Sequence, residues 1–243
     1  MLVLALDTSS AAGSAAIVRD NGVLIERAGD GSRTHGERLP RELMAVLDEA
    51  RVDLRDVDRF AVSTGPGSFT GLRVGIATIQ GLAFAQKKLV VPVSSFEALA
   101  LRPSALGQRP SRIGHRLSAT AVWIDARRGE VFAALYDEDG RELVDTTSLK
   151  PDATLDAWSH TLARLAHVRF VGDGAILYRE RITARLGDRA SLDADVPTLA
   201  GRIGVIASGA DDRAVLPHAV VPLYVRRPDA VLAKEKRDAT REP

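Results

Sequence analysis

One glycine-rich stretch decides how this chain is interpreted, and it reads Ser63-Thr64-Gly65-Pro66-Gly67-Ser68-Phe69-Thr70-Gly71-Leu72-Arg73-Val74-Gly75. An apolar run ends at Val62 and a helical pattern follows the stretch, so it predicts a strand, a tight loop and the start of a helix. Gly65 and Gly67 permit backbone angles closed to other residues, and Ser68 or Thr70 can cap the helix. Unpaired backbone N–H groups at such a helix start can face an anion or the backbone of a partner. The alternative is a glycine-rich connector that only makes a sharp turn.

The composition is that of a folded globular protein. Of the 243 residues, 45% are hydrophobic and 27% charged, and the net charge is +1. These values predict a sizeable core and no general attraction to nucleic acid. The chain has no cysteine, which excludes disulfides, thiolate zinc sites and a cysteine nucleophile. It shows neither a signal-peptide pattern nor an apolar stretch of about 20 residues, so we expect a soluble cytoplasmic protein without membrane contact.

The two halves of the chain repeat one pattern. A strand pattern that ends at Asp7 opens the first half, and one that ends at Asp125 opens the second. Each is followed by two further strand patterns, separated by Asn21-Gly22 in the first half and by Asp139-Gly140 in the second. Asn-Gly and Asp-Gly pairs are typical of tight hairpin turns. Helical and buried-strand patterns follow each meander, so periodicity alone predicts a mixed α/β protein with two similar halves.

The helical patterns and composition shifts also predict the organisation of the chain. Apolar spacing predicts helices over residues 37–50, 70–86, 175–186 and 199–208. The predicted units are a first subdomain (1–101), a linker or insertion (102–118), a second subdomain (119–228) and a charged flexible tail (229–243). A helix over about 197–209 is assigned to the second subdomain and is expected to pack back on the first. The basic segment 102–118 is interpreted as a solvated linker, with an RNA-binding loop as the alternative.

Four segments resemble the TsaB (YeaZ) family. Gly65–Gly75 matches its G-P-G-S-F-T-G-x-R-x-G block, and Leu4–Ser9 is similar to its opening strand and hairpin. Ile124–Phe132 is similar to its I-D-A-R-x-G-E-V-Y pattern, with Phe132 in place of the tyrosine, and Pro222–Arg226 is similar to its P-x-Y-L-R box. The resemblance implies an α/β fold of the ASKHA (actin/hexokinase/Hsp70-like) type, a duplicated ribonuclease-H-like fold with two similar subdomains.

The same resemblance implies a function. It suggests a non-catalytic scaffold or dimerisation subunit of the complex that installs N6-threonylcarbamoyladenosine in tRNA next to the anticodon. In that family TsaB binds and activates the catalytic subunit TsaD, and the ATPase TsaE docks on the pair. A homodimer is a further assembly that the resemblance implies, and tRNA would be reached through the complex. ATP or ADP at the partner interface is the one cofactor implied.

Small residues on the helix after the loop predict a close contact. Gly71 and Gly75 are one helical turn apart, and interior glycines cost about 0.5–1 kcal/mol each relative to alanine, so a compensating approach is expected. Their spacing alone leaves open whether they approach the protein's own sheet or a partner. The resemblance favours the partner, so we predict an interface centred on Phe69, Gly71, Arg73 and Gly75, with Leu43 of the preceding helix. Arg73 would form either a charge-assisted contact at its edge or an internal salt bridge.

A nucleotide pocket is predicted only in residual form. Asp7, Thr8 and Ser9 stand where the first phosphate hairpin of an ASKHA ATPase would lie. After Ser10, however, two alanines follow, and the first glycine is Gly13. Asp125 is likewise followed by arginines where such an ATPase has glycines. We therefore expect at most nucleotide binding there, without efficient hydrolysis.

No metal site is predicted. No two histidines have the i, i+4 spacing that directs two imidazoles at one ion. The TsaD family carries its metal ligands in an H-x-E-x-H pattern, and the matching segment here is Ser95–Leu99, in which only Glu97 remains. The alternative function is a self-sufficient ASKHA ATPase or small-molecule kinase, which predicts metal-dependent ATP turnover. A peptidase is not supported, because the chain lacks a G-x-S-x-G motif.

Overall fold

The computed structural model describes residues 1–101 and 118–226. The predicted linker, apart from Ser118, and the predicted tail lie outside the described residues. Ser118 is the first residue of a strand and pairs with His167 of a neighbouring strand. The prediction that Ser118 belongs to the linker is therefore wrong, because its backbone is part of a sheet.

Two five-stranded sheets share one topology. The first contains β1 (Leu2–Asp7), β2 (Ser14–Arg19), β3 (Gly22–Ala28), β4 (Arg59–Gly65) and β5 (Val90–Ser94), in the order β3-β2-β1-β4-β5. The second contains β6 (Ser118–Asp125), β7 (Val131–Tyr136), β8 (Glu142–Leu149), β9 (His167–Val171) and β10 (Ala190–Leu192), in the equivalent order β8-β7-β6-β9-β10. In each sheet the first three strands in the chain pair in antiparallel fashion. The fourth strand pairs in parallel with the first, and the fifth in parallel with the fourth. The predicted duplicated α/β fold of the ASKHA type is confirmed.

Helices cover both faces of the first sheet. Leu2, Leu4 and Leu6 of β1 point into the core beneath α1 (His35–Ala50) and α2 (Phe69–Gln86). Val3 and Ala5 point the other way, into the core that contains α8 (Ala200–Ser208) and α3 (Ser95–Ala100). Since both faces are covered, every residue of β1 is buried.

The second sheet has its own core. It packs against α4 (Pro151–Ala157), α5 (Ser159–Arg164), α6 (Asp173–Leu177) and α7 (Arg179–Leu186). Trp123 and Trp158 lie edge to face at 6.2 Å between ring centroids, and Phe170 lies 5.6 Å from Trp123. The single helix predicted over 175–186 is wrong, because the backbone leaves the helical conformation at Tyr178 and divides it into α6 and α7.

The segment after α8, residues 210–226, returns along the first sheet, and we call it the C-terminal segment. Val215 forms an antiparallel bridge with Val90 at the edge of β5. The side-chain amide of Gln80 in α2 donates to the carbonyls of Pro217 and Val220. Leu223 N–H then donates to Thr64 O at 2.8 Å, which brings the end of the segment to the loop after β4.

Across residues 1–101 and 118–226, no helix is both long enough and apolar enough to cross a lipid bilayer.

Candidate functional site

The loop between β4 and α2 is hydrogen-bonded to the hairpin that joins β1 and β2. Gly65 has a φ of +107°, a region that favours glycine. Ser68 N–H donates to Ser9 O at 2.6 Å, and Ser68 Oγ accepts the N–H of Gly71 at 3.2 Å. Of the two predicted caps, Ser68 therefore caps α2.

Gly71 and Gly75 seat α2 on its own sheet. A Cβ added at Gly71 would overlap Thr8 O, and one added at Gly75 would overlap Thr8 Oγ1 and lie 2.9 Å from its Cγ2. Both glycines are buried. The prediction that Gly71 and Gly75 belong to a partner surface is wrong, because Thr8 occupies the space in front of them.

Leu43 and Thr8 are also placed differently from the predictions. Leu43 is 4% exposed and belongs to the core beneath α1 and α2, so its assignment to the partner surface is wrong. A cleft separates the two sheets near the ends of β1 and β6, and Thr8 does not line it. Thr8 is fully buried against α2, so it cannot contact a nucleotide in that cleft. Asp7 and Ser9 do line that cleft.

The outward side of α2 is an apolar surface that the sequence interpretation missed. Ala77 and Gly81 are exposed one turn apart, and a Cβ at Gly81 would meet nothing within 4 Å. Phe84 is 78% exposed on the same side, and Met44 of α1 is 55% exposed. We call Arg73, Ala77, Gly81 and Phe84 the α2 face. The sequence does contain a signal for this surface, since α2 carries apolar residues on its outward side as well as on its buried side.

Arg73 lies at the N-terminal end of the α2 face and is held by two aromatic rings. Its guanidinium carbon is 3.8 Å from the centroid of the Phe69 ring. Its Nε donates to the hydroxyl of Tyr224 at 3.0 Å, and the rings of Phe69 and Tyr224 are 5.5 Å apart. Phe69 and Tyr224 are 43% and 40% exposed. Among residues 1–101 and 118–226, the side-chain partners of Arg73 are aromatic, and no carboxylate there forms the alternative internal salt bridge.

A cleft of about 980 Å³ separates the two sheets, between the ends of β1 and β6. Its polar lining includes Asp7, Ser9, Asp125, Arg127 and Asp173. The last residues of the C-terminal segment line it as well, and Arg226 pairs with Glu130 at 3.1 Å beside β7. Two of the three residues predicted for a residual nucleotide pocket, Asp7 and Ser9, lie in this cleft.

The first hairpin of the cleft directs its polar groups toward its own backbone. Asp7 Oδ1 accepts the N–H of Ser9 at 2.9 Å, and the N–H of Gly13 donates to Ser10 Oγ at 3.0 Å. Buried Arg38 of α1 donates to two carbonyls at the hairpin tip, at 2.5 and 3.0 Å. The hairpin is thus fastened to α1.

The second hairpin is closed by a carboxylate of its own. Asp125 Oδ1 accepts the N–H of Arg127 at 2.9 Å, and the Asp125 carboxylate pairs with the Arg127 guanidinium at 3.2 Å. The N–H of Asp125 donates to Asp173 Oδ1, and those of Ala126 and Glu130 are bonded within the turn. These four N–H groups are therefore satisfied within the protein and are not available to a phosphate.

The segment that matches the metal ligands of TsaD does not suit a metal ion. Glu97 forms the capping box of α3 with Ser94 and a two-oxygen pair with Arg213 at 2.8 and 2.9 Å. Ser95 and Leu99 are buried, and Leu99 belongs to the core. No cluster of three metal-ligating side chains is found in residues 1–101 and 118–226. The only possible metal ligand in Ser95–Leu99 is therefore the carboxylate of Glu97, and Arg213 already neutralises its charge.

Comparison with known proteins agrees with this architecture. Residues 15–186 match the family model of TsaD, tRNA N6-adenosine threonylcarbamoyltransferase. An uncharacterized protein of Mycobacterium tuberculosis is 32% identical, over 94% of this chain and 93% of its own length. The tRNA threonylcarbamoyladenosine biosynthesis protein TsaB of Bacillus subtilis is 26% identical, over 95% of this chain and 96% of its own.

A solved structure gives the same answer at the level of the fold. YeaZ from Pseudomonas aeruginosa superimposes with a TM-score of 0.71 at 32% identity, and the match covers 92% of this chain and 99% of YeaZ. Matches of this extent cover both sheets as well as the loop before α2. The chain therefore belongs to the TsaB (YeaZ) family, within the wider family that the TsaD model describes.

Proposed function

We propose that this protein takes part in the formation of N6-threonylcarbamoyladenosine in tRNA as a non-catalytic scaffold subunit that binds and activates a TsaD-like catalytic subunit. The observation that carries the proposal is the α2 face, an exposed apolar helix surface on a chain of the TsaB family. Exposed Ala77 and Gly81 allow a second helix to approach closely, and Phe84 supplies apolar area on the same face.

The cleft supports a non-catalytic role. An ASKHA ATPase holds the phosphates of its nucleotide with two hairpins whose backbone N–H groups face the ligand. Here the second hairpin is closed on Asp125, and the first is fastened to Arg38. The residues at the TsaD metal position do not fit a metal ion, since Glu97 is paired with Arg213. The reacting groups are therefore assigned to the partner.

Further partners follow from the same role. A TsaE-like ATPase would dock on the pair of subunits, and tRNA would be reached through the complex in the cytoplasm. ATP or ADP would bind at the shared interface. A homodimer on the α2 face would form when the catalytic subunit is absent, because the same apolar surface would otherwise stay in water.

The test is complex formation with the TsaD-like subunit of the same organism, measured by size-exclusion chromatography with light scattering. Gly81→Arg places a bulky charge on the α2 face at a position with open space, so the fold is preserved and the complex is lost. Ala163→Arg, at an exposed position of α5, is the matched control and should bind as the wild type does. Absence of a complex with the wild-type chain under any nucleotide condition would overturn the proposal.

A second candidate is a self-sufficient ATPase or small-molecule kinase. The observation that favours it is the cleft, which three carboxylates line: Asp7, Asp125 and Asp173. It predicts metal-dependent ATP turnover by the isolated chain that is lost in Asp7→Asn. If the wild type hydrolyses ATP only at the background rate and still forms the complex, the ATPase or kinase alternative is wrong and the scaffold function stands.

A further inference from the structure

The Arg73 cluster, made of Phe69, Arg73 and Tyr224, is a pre-ordered cation at the edge of an apolar surface. Stacking on Phe69 and the hydrogen bond to Tyr224 fix the guanidinium although all three side chains are exposed. Within the described part of the chain, Arg73 has no carboxylate partner. A long side chain that is already ordered loses less conformational freedom when a partner binds.

The bond to Tyr224 decides which donors remain. Tyr224 accepts from Nε, so the two terminal nitrogens of Arg73 are left for an end-on, bidentate contact. A carboxylate matches that geometry, and arginines with such partners are common at the energetic centres of interfaces. Because Tyr224 belongs to the C-terminal segment, this segment contributes to the surface together with α2.

The surroundings favour a protein carboxylate over an RNA phosphate. Arg73 is the only charged residue in the 18 residues of α2. The surface next to it is apolar, with Ala77, Gly81 and Phe84 exposed. RNA binding rests on several cations that follow the phosphate backbone, and an apolar helix face does not supply them. An acidic side chain on a partner helix satisfies both the cation and the apolar stripe.

We propose that the partner that docks on the α2 face presents an aspartate or glutamate to Arg73, and that Phe69 and Tyr224 are positioning residues for this contact. The inference rests on the proposed function, since it concerns the same surface. The inference adds that the partner must carry an acidic side chain at the end of its helix that lies beside Arg73.

The experiment measures the affinity of the TsaD-like subunit for the full chain by titration calorimetry at low and high salt. Arg73→Ala should weaken binding by about 10- to 30-fold and reduce its salt dependence, since a charge-assisted contact is lost. Arg73→Lys keeps the charge without the fork, so it should give an intermediate affinity. Tyr224→Phe keeps the ring and frees the guanidinium, and a loss of about 2- to 5-fold is expected.

Arg164→Ala, an exposed arginine at the end of α5, is the matched control and should bind as the wild type does. Circular dichroism of each variant confirms folding. If the wild type binds and Arg73→Ala binds within twofold of it at both salt concentrations, this inference is wrong while the scaffold function stands. If Arg73→Ala leaves the affinity for the subunit unchanged but weakens tRNA retention by the complex, the ligand is a phosphate and the inference is equally wrong. If the wild type does not bind the TsaD-like subunit, both this inference and the proposed scaffold function are wrong.

Discussion

At the scale of single residues, the glycines of α2 differ in what an added Cβ would meet. At Gly71 and Gly75 the neighbour is Thr8, which lies at the end of β1 and is fully buried. At Gly81 there is open space. The first two glycines are therefore required for packing, whereas Gly81 lies on the exposed side of the helix.

Gly75→Ala and Gly81→Ala should shift stability in opposite directions. An alanine at Gly75 would overlap Thr8 Oγ1, and overpacking of this kind costs about 1–3 kcal/mol, more than the gain in helix propensity. An alanine at Gly81 meets no atom, so the free energy of unfolding should rise by about 0.5–1 kcal/mol. Urea unfolding followed by circular dichroism measures both changes.

Thr8→Ala provides the control for that pair. It removes both Oγ1 and Cγ2, the two side-chain atoms nearest to the added methyl group, and Oγ1 has no hydrogen-bond partner. The double variant Thr8→Ala with Gly75→Ala should therefore recover part of the lost stability. Equal stability of Gly75→Ala and Gly81→Ala would rule out the close seating of α2.

His35 should make stability depend on pH. Burial, together with the charge of Arg38, lowers the pKa of His35 below its ordinary value of 6.5. The unfolded chain therefore takes up a proton at a higher pH than the folded chain does, so the free energy of unfolding should fall as the pH drops below about 6.5. Thermal unfolding of the wild type and His35→Gln at pH 7.5 and 5.5 measures this. His35→Gln should lose less stability than the wild type between pH 7.5 and pH 5.5. An equal loss would contradict the assignment of this pH dependence to His35.

At the scale of elements, the start of α2 depends on one serine. Ser68 Oγ accepts the N–H of Gly71, and no acidic residue lies in the first turn to replace it. Ser68→Ala should lower the free energy of unfolding by about 1 kcal/mol, while Ser68→Asp retains an acceptor and should stay close to the wild type. Chemical unfolding measures both, and a loss in Ser68→Asp as large as that in Ser68→Ala would argue against the cap.

Most elements of the fold could be predicted from the sequence, because their signals are local. Hairpin turn residues and the apolar spacing of α1 and α2 depend on neighbouring residues only. The first turn lies one residue before the predicted Asn21-Gly22 pair, because Asp20 and Asn21 have positive φ and Gly22 already pairs with Arg19 in β3. The break at Tyr178 and the helices α4 and α5 could not be predicted, since the core around Trp158 that fixes them is assembled from distant strands.

The candidate site was predicted less well than the fold, for a related reason. Spacing shows that Gly71 and Gly75 share one side of a helix, but it does not show what lies in front of that side. Thr8 is distant in sequence and reaches them only through the pairing of β1 with β4. Arg73 is exposed, as a partner surface would require, whereas its contact with Tyr224 joins residues 151 positions apart and leaves no local pattern.

At the scale of the whole molecule, the duplicated fold has become asymmetric. One core cluster joins the two sheets through α3 and α8, and it includes Val3 and Ala5 of β1 together with Val122 of β6. The C-terminal segment then follows only the first sheet before it reaches Glu130 beside the second. The α2 face, which we propose as the partner surface, and Arg73 at its N-terminal end both belong to the half built on the first sheet.

The tryptophan pair gives this asymmetry an optical consequence. The chain has two tryptophans, and Trp123 and Trp158 are both nearly inaccessible to water in the core of the second sheet. Their fluorescence thus reports on one half of the molecule, while circular dichroism reports on both. Because a shared core joins the halves, the two signals should change at the same urea concentration. A partner bound on α2 should leave the emission unchanged, so a shift on binding would reveal movement transmitted to the opposite half.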